Sequence, residues 1–271
     1  MTTDTPVLEV SEIAVDYGSG RRRSRAVTGV SFSIERGKTL GLVGESGSGK
    51  TTIGMAVLGL VALASGEIRF RGRPVHGLSA RQRRELGKAR QVIFQDPYSS
   101  LDPLRTIGYS LTEPARFHGM TGSAALERAR DLVRKVGLDE SALARFPAQF
   151  SGGQRQRIAI ARALMTEPEF IVCDEPVSAL DLSVQADVMN LLTSLQQELG
   201  LSLLFISHDL TIVRQISDDI VVLRAGEVVE SGPTEQLFEA PREPYTRTLL
   251  ASVPNATRAG LNVSEMQKEV G

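Results

Sequence analysis

Thr39-Leu40-Gly41-Leu42-Val43 reads as a short apolar strand, and it runs directly into Gly44-Glu45-Ser46-Gly47-Ser48-Gly49-Lys50-Thr51, after which Thr51 to Leu60 reads as a helix. This strand, glycine loop and helix constrain the fold more than any other part of the chain. The glycines let the backbone curl so that successive N–H groups face one point, as phosphate oxygens require. The loop then enters a helix N-terminus, where unpaired N–H groups and the helix dipole favour an anion. Lys50 supplies a point charge for β and γ phosphates, and the Thr51 hydroxyl can ligate Mg²⁺. The bland alternative is a glycine-rich turn with no ligand. Every fixed position of G-x-x-x-x-G-K-[ST] is filled in the right setting, so phosphate binding is the stronger reading. The loop alone leaves the class of nucleotide enzyme open.

A second apolar segment, Phe170-Ile171-Val172-Cys173, ends in Asp174 and Glu175. Carboxylates at the end of a buried strand are costly unless solvated or paired, so they tend to mark a site. Asp174 suits a Mg²⁺ shell, which keeps several waters and takes few carboxylates. Glu175, one residue on, points elsewhere and is placed to orient or deprotonate an attacking water. Capping of the following segment is the alternative for two such acids. Ser151-Gly152-Gly153-Gln154 opens another helix, with Ile158 to Leu164 on its body, and forms a second anion-favouring start unless Ser151 is a plain cap. One chain thus carries two such helix starts and one phosphate loop. A head-to-tail pair of subunits resolves this, each donating its serine-glycine turn to the other's nucleotide.

Further strand segments lie at Val7-Leu8-Glu9-Val10, Ile13-Ala14-Val15, Val30 to Ile34, Glu67 to Phe70, Val75, Val92 to Phe94 and Leu203 to Ile206. Between about Asp96 and Phe150 the texture changes. Prolines 97, 103 and 114 break its start, and Ala124 to Val136 then carries helical spacing. Strands alternating with helices predict an α/β core with a largely parallel sheet covered on both faces, into which a mostly helical part is inserted. After Pro241 the tail turns polar. The 31 Lys+Arg against 32 Asp+Glu argue against a generally basic nucleic-acid binder. One cysteine, Cys173, permits no internal disulfide and reads as a buried strand residue. Arg21-Arg22-Arg23 and Arg81 to Arg84 read as solvated faces, and His76 and His118 as surface residues. The N-terminus lacks a signal-peptide pattern, and Met55 to Ala64, the longest uncharged apolar stretch, is too short to cross a bilayer. A cytoplasmic protein is expected, with any membrane role exerted through a partner.

In this order the motifs resemble those of ABC transporter ATPase subunits: Walker A at Gly44 to Thr51, the signature at Phe150-Ser151-Gly152-Gly153-Gln154, Walker B through Asp174 and Glu175, and Ser207-His208-Asp209. Tyr17 sits where that family's adenine-stacking aromatic sits, Gln95 matches the Q-loop glutamine, and Ser178-Ala179-Leu180-Asp181 matches the D-loop. The family's first signature residue is usually Leu and here is Phe150. The resemblance covers residues 7 to 254, with a polar tail from 255 to 271. It implies the fold of a P-loop core with an N-terminal antiparallel β subdomain and a helical subdomain inserted over about 96–160.

The resemblance also implies the site. ATP would lie on Tyr17 and on Gly44, Glu45, Ser46, Gly47, Ser48, Gly49, Lys50, Thr51 and Thr52. Thr51, Gln95 and Asp174 would hold Mg²⁺, and Glu175 and His208 would serve hydrolysis, with His208 on the γ-phosphate. Ser151, Gly152, Gly153 and Gln154 would reach the partner's nucleotide, and Asp181 would cross the subunit interface. On their own residues, Tyr17 could be plain packing, Gln95 a solvated edge residue and Asp181 a helix cap.

Phe94-Gln95-Asp96-Pro97-Tyr98-Ser99-Ser100-Leu101-Asp102-Pro103, Cys173 to Asp181, Gly232-Pro233-Thr234-Glu235 and Pro244-Tyr245-Thr246-Arg247-Thr248-Leu249-Leu250 are similar to the oligopeptide/dipeptide importer ATPases. The run Gln154-Arg155-Gln156-Arg157 is closer to the second ATPase of such a pair than to the first. The implied function is ATP hydrolysis powering a membrane permease that imports peptides or related small solutes. The implied partners are a second, non-identical ATPase subunit, two permease subunits and, indirectly, an extracytoplasmic solute-binding protein. The expected location is peripheral, on the cytoplasmic face of the membrane.

Overall fold

The computed structural model describes residues 5–18, 24–96 and 100–251. Arg21-Arg22-Arg23, Pro97-Tyr98-Ser99 and the tail 255–271 lie outside the described residues. Two sheets carry the architecture. In the first, β1 (Leu8–Tyr17), β2 (Ser24–Ile34), β4 (Ser65–Phe70) and β5 (Arg73–Pro74) pair antiparallel in the order β2-β1-β4-β5. The second contains β3 (Thr39–Gly44), β6 (Arg90–Ile93), β7 (Phe170–Asp174), β8 (Ser202–Ile206), β9 (Asp219–Arg224) and β10 (Glu227–Pro233) in the order β10-β9-β3-β8-β7-β6. All its pairs are parallel except β9 with β10.

The parallel strands are apolar throughout because both faces are buried. Their side chains alternate between two cores, as a period of two demands. Val43, Ile171, Cys173, Leu203 and Phe205 face one core, which also receives α3 (Ile107–Phe117), α4 (Gly122–Lys135), α5 (Gly152–Leu164), α6 (Leu182–Leu199) and α7 (Leu210–Ile216). Leu40, Leu42, Phe170, Val172, Leu204 and Ile206 face the other, filled by the antiparallel sheet and α1 (Lys50–Val57). Phe70 and Phe170 meet across it at 6.3 Å. Cys173 is wholly buried, and burial pushes its thiol up to about 12, so it stays protonated and unreactive.

Helix α2 (Ala80–Ala89) buries no residue and carries Arg81 to Arg84 as a solvated face. Arg84 nonetheless donates to the Phe117 carbonyl and stacks on its ring at 4.5 Å. The structure differs from the sequence reading in several places. The two N-terminal strand segments are one strand, β1, which absorbs an irregularity at Glu12 with φ of 47°. Pro114 lies inside α3 instead of breaking it. The missing N–H costs one hydrogen bond near the helix end, and burial of Ile107, Leu111 and Ala115 offsets it. His76 and His118 are half-buried, not surface residues; burial pushes both below the usual imidazole range. Beyond α8 (Thr234–Glu239), the polar C-terminal stretch folds as α9 (Pro244–Ala251), with Thr246 fully buried. No helix among the described residues is long and apolar enough to cross a membrane.

Candidate functional site

Parallel strands end on one edge of their sheet, and ligands of open α/β folds lie outside that edge. Leu42 of β3 and Asp174 of β7 are both level with Ile206 of β8. The chain segments leaving these strands, Gly44–Thr51, Asp174–Glu175 and Ser207–Asp209, are therefore brought together.

The glycine loop is folded around its own lysine. Lys50 donates to the carbonyls of Gly44 at 2.8 Å and Glu45 at 2.7 Å. Burial pushes its ammonium below the usual lysine range, while Glu175 and Asp174 pull it back up. Gly49 sits at φ of 102°, and a Cβ there would stand 2.8 Å from the Ala26 carbonyl. Only glycine lets β2 come this close. On the other side, Gly226 of the β9–β10 turn donates to the Ser48 carbonyl at 3.0 Å.

Thr51 donates its hydroxyl proton to Asp174 at 3.1 Å. Burial raises Asp174 above the usual carboxylate range, and the Thr51 hydrogen bond opposes the shift. Glu175 departs from the strand in left-handed backbone, φ 48°, held by donation of its N–H to the Ile206 carbonyl at 2.9 Å. For a residue with a Cβ, such a conformation costs on the order of 1 kcal/mol or more and clusters at functional sites. It aims the carboxylate at His208, whose Nδ1 lies 3.2 Å from Glu175 Oε1. The Glu175 side chain is 19% exposed and that of His208 59%, so the histidine forms the solvent side of the pair. Asp209 fixes the following turn by capping α7, accepting from Thr211 N–H at 2.8 Å. The arrangement can bind an anion at the loop and hold a water beside a carboxylate whose orientation a histidine supports.

Tyr17 ends β1, is 46% exposed, and its hydroxyl reaches the Thr52 hydroxyl at 3.4 Å, which places the phenol at the first turn of α1. Gln95 lies two residues beyond β6, whose Ile93 is level with Cys173, which carries the chain toward the Asp174–Glu175 end. Gln95 is exposed, and α3 follows it.

Ser151 caps α5 in a reciprocal box: it accepts from Gln154 N–H at 3.3 Å, while the Gln154 side-chain oxygen accepts from Ser151 N–H at 3.0 Å. Phe150 is buried under the Arg145 guanidinium at 4.2 Å, so the change from Leu is absorbed by packing. A Cβ on Gly153 would lie 2.3 Å from Val184 Cγ1, and one on Gly152 3.4 Å from Leu180. The start of α5 is thereby seated on the start of α6. Asp181 caps α6, accepting from Val184 N–H at 3.1 Å and Ser183 Oγ at 2.8 Å. Gly153→Ala should force these helix starts apart and destabilise the chain by about 1–3 kcal/mol. Urea denaturation checks this; an unchanged midpoint would show that Val184 yields freely.

Helix α5 packs on α3, α4, α6 and β6. Three further residues touch the glycine loop or approach it from afar in sequence: Arg224, Gly226 and Tyr245. No local pattern marks the first two. The third lies in Pro244-Tyr245-Thr246-Arg247, which stood out only through resemblance.

A parallel sheet with this glycine loop at one strand end, strand-end acids beside it and an antiparallel sheet packed over α1 defines a P-loop ATPase cassette. The chain belongs to the ABC transporter family: residues 27–178 match that family, and residues 229–270 match the oligopeptide/dipeptide transporter C-terminal region. It is 50% identical over 254 residues to a putative peptide import ATP-binding protein of Brucella ovis, covering 93% of this chain and 80% of the relative. It is 51% identical over 236 residues to the glutathione import ATP-binding protein GsiA of Salmonella typhi, covering 87% of this chain and 38% of that one. Among solved structures, cbiO1 from Clostridium perfringens, part of the ABC transporter complex cbiONQ, superposes with a TM-score of 0.79 at 26% identity over 95% of this chain and 99% of the other. The dimeric, post-hydrolysis cassette MJ0796 bound to ADP and Pi superposes at 0.74, with 28% identity, over 84% and 98%.

Proposed function

We propose that the chain is the ATP-hydrolysing subunit that powers import of peptides or related small solutes through a separate membrane permease, lying peripherally on its cytoplasmic face. The observation that carries this reading is the C-terminal match to oligopeptide/dipeptide transporters, joined to a complete set of strand-end ATPase residues. The loop Gly44–Thr51 with Thr52 binds the phosphates, and Tyr17 stacks on the base. Thr51 and Asp174 offer hard oxygen donors side by side, which fits magnesium, with Gln95 as a further amide oxygen. A magnesium ion, when bound, neutralises charge on the β and γ phosphates. Glu175 accepts the proton of the attacking water, and His208 holds the carboxylate and reaches the γ-phosphate. Products are ADP and phosphate, reached by positioning and electrostatics without a covalent intermediate.

Reconstitution with the permease and a solute-binding protein tests the reading. Turnover should rise when the binding protein is loaded with peptide; turnover indifferent to the permease would remove the transport role. The likeness to GsiA supports glutathione as a second solute to load, with stimulation by glutathione alone selecting that reading.

The signature residues Ser151 to Gln154 act in trans, on the nucleotide held by a second, non-identical ATPase subunit, and Asp181 lies at that interface. Support comes from the dimeric form of MJ0796, a cassette 28% identical to this chain. Ser151→Arg should place a bulky cation where the helix start meets the γ-phosphate. Vanadate trapping of photoreactive nucleotide should then lose label at the partner's lysine site. Loss confined to this chain's own loop would overturn the trans arrangement.

A further inference from the structure

The segment Pro244-Tyr245-Thr246-Arg247 has no part in the hydrolytic roles above, yet it is built into the fold at several points. Thr246 is fully buried. Arg247 donates to the carbonyls of Pro241 at 3.0 Å and Arg242 at 2.8 Å, which fixes the approach to α9. Glu230 of β10 accepts from the N–H groups of Arg242 at 2.8 Å and Glu243 at 3.1 Å. Tyr245, Leu249 and Leu250 pack against the main core. Helix α9 is therefore bolted to the sheet, and what Tyr245 touches is held in place.

Tyr245 reaches the phosphate loop. Gly44 of β3 is level with Leu223 of β9, so Arg224 comes alongside Glu45, the second residue of the loop. The Arg224 guanidinium lies 4.8 Å from the centre of the Tyr245 ring. The Tyr245 hydroxyl oxygen is buried without a hydrogen bond of ordinary geometry, beside the backbone N–H and carboxylate of Glu45. Burial raises its phenol above the usual range, with the Glu45 N–H opposing. The side chain thus spans Arg224 and Glu45, with its ring on the guanidinium and its hydroxyl, which makes no hydrogen bond of ordinary geometry, beside the second residue of the loop.

We infer that α9 is a strap on the phosphate loop, with Tyr245 and Arg224 as positioning residues that hold Glu45 and the first turn of the loop in the form that receives nucleotide. The C-terminal region then sets nucleotide affinity from outside the hydrolytic machinery. This rests on the reading of Gly44–Thr51 as the phosphate loop.

The test measures binding of a ribose-labelled fluorescent ATP to the full chain, together with binding stoichiometry and Tm. Tyr245→Ala frees the loop to leave its receptive form, and apparent Kd rises in inverse proportion to the receptive fraction, by about fivefold. Tyr245→Phe keeps the ring and restores Kd to within about twofold. Arg224→Gln leaves the ring but removes the cation, weakening binding about two- to fivefold, and it serves if the alanine variant fails to fold. A merely structural helix gives a different pattern: lower Tm and fewer binding sites, with Kd unchanged in the folded fraction. That pattern, or unchanged Kd in Arg224→Gln, overturns the strap. Lys50→Ala is the control on the loop itself; if its Kd also stays unchanged, the loop reading fails and takes the strap with it.

Discussion

Lys50→Ala is expected to abolish ATP turnover in the assembled transporter. The ammonium stands at the start of α1, held by the loop carbonyls of Gly44 and Glu45. Removing one preorganised charge of this kind costs about 10²–10³ in rate, before any loss of binding is counted. The substitution also frees the carbonyls of Gly44 and Glu45, so the loop should lose definition together with charge. Turnover measured against total protein, and nucleotide binding measured separately, distinguish the two losses. Retained turnover with the partner's own lysine also removed would contradict the assignment of the phosphate loop.

Glu175→Gln should separate binding from hydrolysis. The amide keeps the shape and leaves an oxygen facing His208 Nδ1, now 3.2 Å from the carboxylate, but it cannot accept a proton. General-base contributions of about 10²–10⁴-fold set the expected fall in turnover. Nucleotide affinity should change little, because the proposed phosphate contacts are those of Lys50 and the loop. ATP should then hold two ATPase subunits together long enough to appear as a nucleotide-dependent dimer in size-exclusion chromatography. Wild-type turnover in this variant would remove Glu175 from the reaction.

The sheet and the phosphate loop were legible in the sequence because their signals are local. Continuous apolar strands such as Leu203–Ile206 reflect burial on both faces, and G-x-x-x-x-G-K-T is a backbone requirement written in adjacent residues. The pairing of Glu175 with His208 was not legible as a distance, though both residues stood out, because it depends on the register of β7 against β8. Asp181 and Ser151 show how one residue satisfies two readings: both cap helices in this chain, which neither supports nor opposes a contact with a partner. Helix α9 was missed because its polar composition hides its anchors. Thr246 is fully buried, and the approach to the helix is held by Glu230 of β10, which accepts from the N–H groups of Arg242 and Glu243. Pro114 misled for the opposite reason, since a strong local breaker was overruled by burial of its neighbours.

The position of β3 between β8 and β9 has a bearing on how the protein is made. The loop strand emerges early, but its two neighbours begin at Ser202 and Asp219, and the turn that closes on Ser48 arrives at Gly226. At about 5–20 residues per second, the ribosome needs roughly 10–40 s to supply them after β3 has been synthesised. During that interval the apolar β3 has no partner on either side, and the nascent chain depends on delayed collapse or on chaperones to avoid pairing wrongly. A nucleotide pocket capable of holding ATP can therefore form only after β9 and the turn at Gly226 have been made, so an interrupted polypeptide ending before Gly226 should neither capture ATP nor compete for a place in the transporter.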